Sequence, residues 1–317
     1  MTESEAAREL RVAVCVCTFK RPTKLSRLLD SFLGMERPPS AMFVIVDNDG
    51  NDPEVPRRVD GFRAACQAHV EYVVERKPGI SAARNAAFAA ARSLGANAIA
   101  MLDDDEWPSA AWLTRLIETR HATGAAVIGG PVEPVFPEGH RQFGKYKDLW
   151  SVRRGNLHGR TYVYCTCNFL VDLTAVSGDR PFVDDLGLTG GEDAVFFRRL
   201  FFAGVSMAWC EDAIVFEEVS ALRATIGWMR RRWYRQGNAG VVCEKLAPDP
   251  RAFSPLVKTV FLCGRLLFFP AFNRNVLGSP LLWLFEFDRV RGRIARHMGF
   301  AFAEYARTGP SSGPASP

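Results

Sequence analysis

Apolar runs set the architecture of this chain. Residues 12–19 (VAVCVCTF), 43–47 (FVIVD) and 98–103 (AIAMLD) are nearly continuous in apolar side chains, and each leads into a polar or acidic group. A strand that reads apolar on both faces belongs inside a sheet covered on both sides, which means a mostly parallel sheet flanked by helices, an α/β fold. Segments with helical spacing supply the covering layers. Leu25, Leu28, Leu29 and Phe32 predict a helix over 22–33. The Ala-rich stretch after Pro78-Gly79 predicts one over 81–93, and Trp112, Leu113, Leu116 and Ile117 predict another, capped by Ser109. Residues 70–74 and 163–171 read as further strands, and a helix opens at Glu192-Asp193. The Pro- and Gly-rich residues 130–159 read as a long loop.

In a parallel α/β sheet, ligands gather at the carboxyl ends of the strands. Asp103-Asp104-Asp105-Glu106 follows one of the apolar runs, and four adjacent carboxylates repel one another. A hard cation such as Mg²⁺ or Mn²⁺, held by one or two carboxylates and diphosphate oxygens, resolves that repulsion. A solvated acidic loop before the next helix is the plain alternative. Asp47 suits an Asx turn or an acceptor for a base N–H. Arg84 stands in the first turns of its helix, where anions are favoured, or is an ordinary surface arginine. Glu192-Asp193, after Gly190-Gly191, either complements the helix dipole or takes a proton from a substrate that the glycines let approach.

Taken in order and spacing, these pieces resemble the family 2 glycosyltransferases and their GT-A nucleotide-diphospho-sugar fold over most of residues 11–240. VAVCVCTFKRP is similar to the family's opening strand and nucleoside loop, FVIVDNDG to its second strand, and GISAARNAA to its Ala-Arg-Asn helix start. MLDDDEWP resembles the DxD metal motif and GGEDAVFFRRL the ED motif. CTFKRP, DND, DDDE and GGED together resemble bacterial exopolysaccharide glucosyltransferases of the succinoglycan type.

The resemblance implies roles. Thr18, Phe19 and Arg21 would surround the nucleobase and ribose, Asp47 would accept from a uracil N3–H, and Arg84 would face base or diphosphate. Asp103 would lie near ribose and metal, Asp104 near ribose, and Asp105 would be the direct ligand of Mg²⁺ or Mn²⁺. Asp193 would be the catalytic base, with Glu192 shaping the acceptor pocket. The implied activity is inverting transfer of one sugar, glucose by the subgroup resemblance, from a UDP-sugar to a lipid-linked saccharide acceptor. Processive relatives carry QxxRW after the ED helix. Here Met229 stands in the Gln position of Met229-Arg230-Arg231-Arg232-Trp233, which argues against a polymer synthase.

The charge distribution adds a second part. Net charge is only +5, yet residues 1–222 hold 25 basic and 30 acidic side chains while residues 223–300 hold 14 and 4. The expected organisation is a polar segment at 1–10 and a GT-A domain at 11–222, with a nucleotide half at 11–106 and an acceptor half at 107–222. A basic, aromatic-rich helical extension follows at 223–307, then a disordered tail at 308–317. Within the extension, WMRRRWYRQG at 228–237 and the apolar stretches 260–272 and 281–287 are candidates for lying on an anionic membrane surface. On one helix Arg231 and Arg235 would face a diphosphate or lipid headgroups. Core packing is the alternative, and nucleic acid is not an expected partner.

Lys258, Arg265, Pro270 and Glu286 interrupt the most apolar stretches, so neither reads as a spanning helix. MTESEAAREL lacks the apolar core of a secretory signal. The eight cysteines form no CxxC pair and read as reduced thiols. The expected place is cytoplasmic, peripheral on the inner face of the cell membrane. Trp107, Trp150 and Asn168 are candidate readers of the acceptor. The rival activities are a nucleotidyltransferase, for which the usual Gly-rich phosphate loop is missing after the first strand, and a non-catalytic membrane-associated assembly partner.

Overall fold

The computed structural model describes residues 10–272 and 280–302. Most of the N-terminal polar segment, and the tail expected to be disordered at 308–317, lie outside the described residues. The apolar runs form β1 (Val12–Thr18), β2 (Met42–Asp47) and β4 (Ala98–Asp103), with β3 (Val70–Val74) at one edge. These four pair in parallel in the order β4-β1-β2-β3. Along β1 the side chains divide by parity, as strand geometry requires. Val12, Val14 and Val16 pack beneath α1 (Pro22–Leu33) and α2 (Glu54–Ala65), where Leu25, Leu28, Phe32 and Phe62 meet them. Ala13 and Cys15 face the opposite layer, α3 (Ile80–Ser93), whose Ala83, Ala87 and Phe88 lie close against the sheet.

The sheet continues through β6 (Val127–Gly129), β10 (Phe169–Asp172) and β11 (Met207–Trp209), in the overall order β11-β6-β10-β4-β1-β2-β3. β10 runs antiparallel to both β4 and β6. Its reversed direction brings residues 165–168, just before it, to the end of the sheet where β1, β2 and β4 finish. A smaller sheet, β5 (Glu106–Pro108), β12 (Val215–Glu218) and β7 (Val132–Val135), stands over that end. Helix α4 (Trp112–Thr123) covers one face, and α5 (Glu192–Phe202) covers the other through Phe196 and Phe197.

Local details depart from the sequence reading. α2 was not expected, because Pro53 and Pro56 mask the Val55, Val59, Phe62 spacing that buries it. Ser109 does not cap α4: the helix starts later, after Ala111, and the Ser109 hydroxyl makes no hydrogen bond. Residues 163–168 are not strand, since the chain bends there and Asn168 turns its amide into the core. The long loop at 130–159 contains β7, a 3₁₀ segment at Arg141–Leu149 and β8 (Gly155–Leu157), which pairs with β9 (Arg160–Tyr162).

The basic C-terminal part forms α6 (Ile226–Leu246), α7 (Pro255–Phe272) and α8 (Pro280–His297). α6 and α8 cross backbone to backbone. A Cβ on Gly237 would sit 1.9 Å from the Arg289 carbonyl oxygen, and one on Gly292 would sit 1.9 Å from that of Tyr234. Met229 and Phe285 are buried between them, and Trp233 stacks on Phe285 at 5.8 Å. In the stretch 281–287, a candidate for the membrane surface, Phe285 is thus core, Leu281 to Leu284 are half-buried and Phe287 is exposed. Among the described residues no helix is long and apolar enough to cross a membrane.

Candidate active site

A cleft of ≈ 750 Å³ opens at the carboxyl end of the parallel strands and is closed on one side by α6. Six of the residues singled out in the sequence line it together: Arg21, Arg84, Asp103, Asp105, Glu192 and Asp193. β4 delivers the aspartates. Glu106 fixes the turn that follows, its carboxylate accepting the Asp103 N–H at 2.7 Å. Gly190 and Gly191, at φ +80° and +94°, supply a left-handed approach that few side chains tolerate and start α5 with Glu192-Asp193 facing the cleft.

Arg84 ties the two acidic motifs together. It is a buried arginine, not a surface one, and its guanidinium bonds the Glu192 carboxylate and reaches Asp103 Oδ1 at 3.4 Å. Burial alone would lower its pKa; Glu192 and Asp103 reverse that and hold it charged. Burial pushes the Glu192 carboxyl up to about 7, with Arg84 opposing and Asp193 adding. The second Glu192 oxygen, Oε2, is buried without a hydrogen-bond partner, leaving an acceptor for a donor on a bound molecule. Asp193 spends one oxygen on the Ala194 N–H at 2.7 Å.

Asp105 gathers cations from three places in the chain. Lys24 of α1 lies at 3.2 Å, Arg223 at 3.3 Å and Arg21 at 3.5 Å from Oδ2. Arg223 also holds Glu217 of β12 at 2.8 Å. Arg232 and Arg235 of α6 complete this wall. Burial lowers the Arg232 pKa, with Glu217 opposing and Arg223 and Arg235 adding, so an anion placed there would relieve like-charge repulsion.

Thr18, Phe19, Asp47 and Asp104 do not line the cleft. Asp104 is a buried latch, accepting from Thr18 Oγ1 at 2.8 Å and Arg21 Nη1 at 3.0 Å, and burial pushes it up to about 6 against Arg21. Asp47 sits opposite Thr18 in the β1–β2 register. It accepts from the Asp49 N–H and from the Tyr72 hydroxyl, both at 2.9 Å. The Asx-turn reading of Asp47 thus holds. Each carboxylate oxygen keeps a second lone pair.

The donor set suits a hard cation only in part. Asp103 and Asp105 present carboxylate oxygens to the cleft, the ligands Mg²⁺ and Mn²⁺ prefer. Among the described residues no cluster of three or more His, Cys, Asp or Glu could hold a metal by itself. A cation here would take its remaining ligands from water and a bound diphosphate, the usual arrangement for Mg²⁺.

Asn168 is not an acceptor reader. Its buried amide accepts from Trp112 Nε1 at 2.8 Å and donates to the carbonyls of Pro131 at 2.9 Å and Ala213 at 2.7 Å. Trp107 lies outside the cleft, between Phe216 and the Arg27 guanidinium, whereas Trp150 lines it at 2% exposure. Tyr162, Tyr164, Lys24, Arg198, Glu217 and Arg223 were not anticipated. Lys24 was within reach of sequence reasoning, one helical turn beyond Arg21. The others depend on long-range packing. Of the arginine pair considered on α6, Arg235 faces the cleft and Arg231 is exposed. All eight cysteines are free thiols, and Cys165 and Cys167 bring their sulfurs to 2.8 Å in the cleft wall.

The sequence model of glycosyl transferase family 2 matches residues 13–177. The succinoglycan biosynthesis protein ExoM of Rhizobium meliloti (strain 1021) is 35% identical over 240 residues, covering 72% of this chain and 73% of that protein. Among solved structures, the mannosyltransferase PcManGT from Pyrobaculum calidifontis, in complex with GDP-Man and Mn²⁺, has a TM-score of 0.60 at 17% identity, covering 93% of this chain and 89% of that one. S. aureus TarS 1–349 in complex with UDP has a TM-score of 0.50 at 14% identity, covering 96% and 95%. At these identities the two structures speak for the shared GT-A fold.

Proposed function

The chain belongs to glycosyl transferase family 2, and from that premise we propose that it is an inverting, metal-dependent enzyme. It moves one hexose, glucose in our reading, from a UDP-sugar to a lipid-linked saccharide acceptor in the synthesis of an exopolysaccharide or other surface polysaccharide. It works at the inner face of the cell membrane. The observation that carries the reading is the meeting of Asp193, the Arg84–Glu192 pair and the Asp103/Asp105 pair in one cleft.

The roles follow from the chemistry of an in-line displacement. Asp193 accepts the proton of the acceptor hydroxyl as its oxygen attacks the anomeric carbon, and the bond to the diphosphate breaks on the other face of the sugar. Glu192, held by Arg84, offers its unpaired oxygen to a neighbouring acceptor hydroxyl. Lys24, Arg21, Arg223 and Arg232 stand where the departing diphosphate needs positive charge. Asp105 and Asp103 would hold Mg²⁺ or Mn²⁺, which stabilises the charge of the leaving group. The nucleoside end is assigned to the neighbouring ends of β1, β2 and β4, where Phe19 is exposed and the buried Thr18, Asp47 and Asp104 lie beneath. Asp47 would accept from the uracil only once that end is uncovered.

The test is UDP release from a panel of UDP-sugars with Mn²⁺ and a membrane-extract acceptor. Asp193→Asn lowers acceptor-dependent release by about 10²-fold or more while UDP still binds. Equal release by both proteins moves the base elsewhere, and no UDP binding by either removes the reading.

A further inference from the structure

The basic C-terminal part was expected to meet a membrane through the arginine–aromatic stretch at 228–237 and the apolar stretches 260–272 and 281–287. The fold puts Arg232 and Arg235 in the cleft wall and buries Met229, so part of the first stretch faces inward, while Arg231 is exposed. The outward apolar surface lies on α7 and the turn before it. Phe253, Leu256, Val257, Val260 and Phe261 are 49–77% exposed. From Leu256 to Phe261 they fall at i, i+1, i+4 and i+5, a single helical stripe.

The opposite side of the same helix is anchored. Thr259 is buried and takes the Arg293 Nε–H of α8 at 2.9 Å, and Lys258 bonds Glu244 of α6. The ridge is a supported surface on a fixed element. Arg251, Lys258 and Arg265 accompany it, and no acidic residue occurs between 250 and 266. Apolar side chains accompanied by Arg251 and Arg265, with Lys258 turned to Glu244 on the anchored side, match an anionic lipid surface, with burial and attraction acting together.

The ridge also has a defined relation to the chemistry. Glu244, the partner of Lys258, lines the cleft. Cys243 beside it bonds the Gly191 carbonyl at 3.4 Å, immediately before Glu192-Asp193. One ion pair and one hydrogen bond therefore connect α7 to the end of the cleft that holds Asp193. We propose that the Phe253–Phe261 ridge seats the protein on an anionic bilayer and brings the acceptor end of the cleft to that surface. The inference rests on the lipid-linked acceptor proposed above.

Cosedimentation with phosphatidylglycerol-containing vesicles, against pure phosphatidylcholine vesicles, tests it at low and high salt. The wild type binds the anionic vesicles and binds less in high salt. Val260→Glu/Phe261→Glu reduces partitioning about tenfold or more. Phe253→Ser, a milder change outside the helix, reduces it less, so a folding failure of the double variant leaves the idea testable. UDP binding and circular dichroism, measured on the same samples, separate this inference from the catalytic reading: UDP binding is unchanged in both variants. No vesicle binding at either salt, or equal binding by folded wild type and variants, overturns the proposal. A wild-type dimer that dissociates in the variants without vesicle binding also overturns it, assigning the ridge to a second copy of the chain.

Discussion

Asn168 shows how much a single residue can hold. Its amide joins α4, through Trp112, to the carbonyls of Pro131 and Ala213, just before β7 and β12, two neighbouring strands of the small sheet. Asn168→Ala leaves a buried indole N–H and two buried carbonyls without that partner. We expect a loss of about 3 kcal/mol or more, read as a lower midpoint in urea unfolding. An unchanged midpoint would mean that water enters and replaces the amide. Nothing in the sequence marks Asn168 for this duty, because its three partners are 37 to 56 residues away. Asp103, Asp105, Glu192 and Asp193 were legible because each follows a local signal: an apolar strand ending in acid, or paired glycines opening a helix. Asp47 was half legible. Its strand end marked it, but the Tyr72 hydroxyl that claims one oxygen comes from the neighbouring strand.

At the level of elements, periodicity found those whose apolar spacing is unbroken. It missed α2, where prolines obscure the pattern, and read a continuous strand at 163–171 where hydrogen bonding favours a bend. It also could not tell which face of α6 would be buried, since arginines and aromatics alternate along it. The crossing with α8 decides that. Gly237 and Gly292 let the two backbones touch, and neither can gain a side chain without pushing the helices apart. Gly237→Ala should destabilise the protein by about 1–3 kcal/mol in a thermal melt. It should also loosen the cleft wall, raising KM for the donor more than it lowers kcat, because Arg232 and Arg235 lie on the same helix. Unaltered melting would show that the crossing yields readily.

For the molecule as a whole, the charge asymmetry read from the sequence is real but changes meaning once folded. The basic part supplies Arg223, Arg232 and Arg235 to a cleft whose carboxylates come mostly from the first two hundred residues, joined by Glu217 and by Glu244 of the basic part. The cleft is thus assembled from both charge pools, which no local reading could show. In the proposed mechanism Mg²⁺ or Mn²⁺ would bind at Asp103 and Asp105, at the cleft and outside the hydrophobic core. A chelator should therefore stop sugar transfer, Mn²⁺ should restore it, and the melting temperature should stay constant throughout. A large fall in melting temperature on chelation would place the metal elsewhere.

The reversed strand β10 has a consequence for how such a protein can change over time. The segment between β7 and β10 leaves the small sheet and re-enters the large one at the same end of the molecule, so both its ends are pinned near the cleft. Trp150, Val152, Tyr162 and Tyr164, all from that segment, contribute to the wall. Its length and sequence can drift without shifting the register of either flanking strand. A lineage could recast this wall of the chamber repeatedly while β1, β2 and β4, and the aspartates at their ends, are inherited intact.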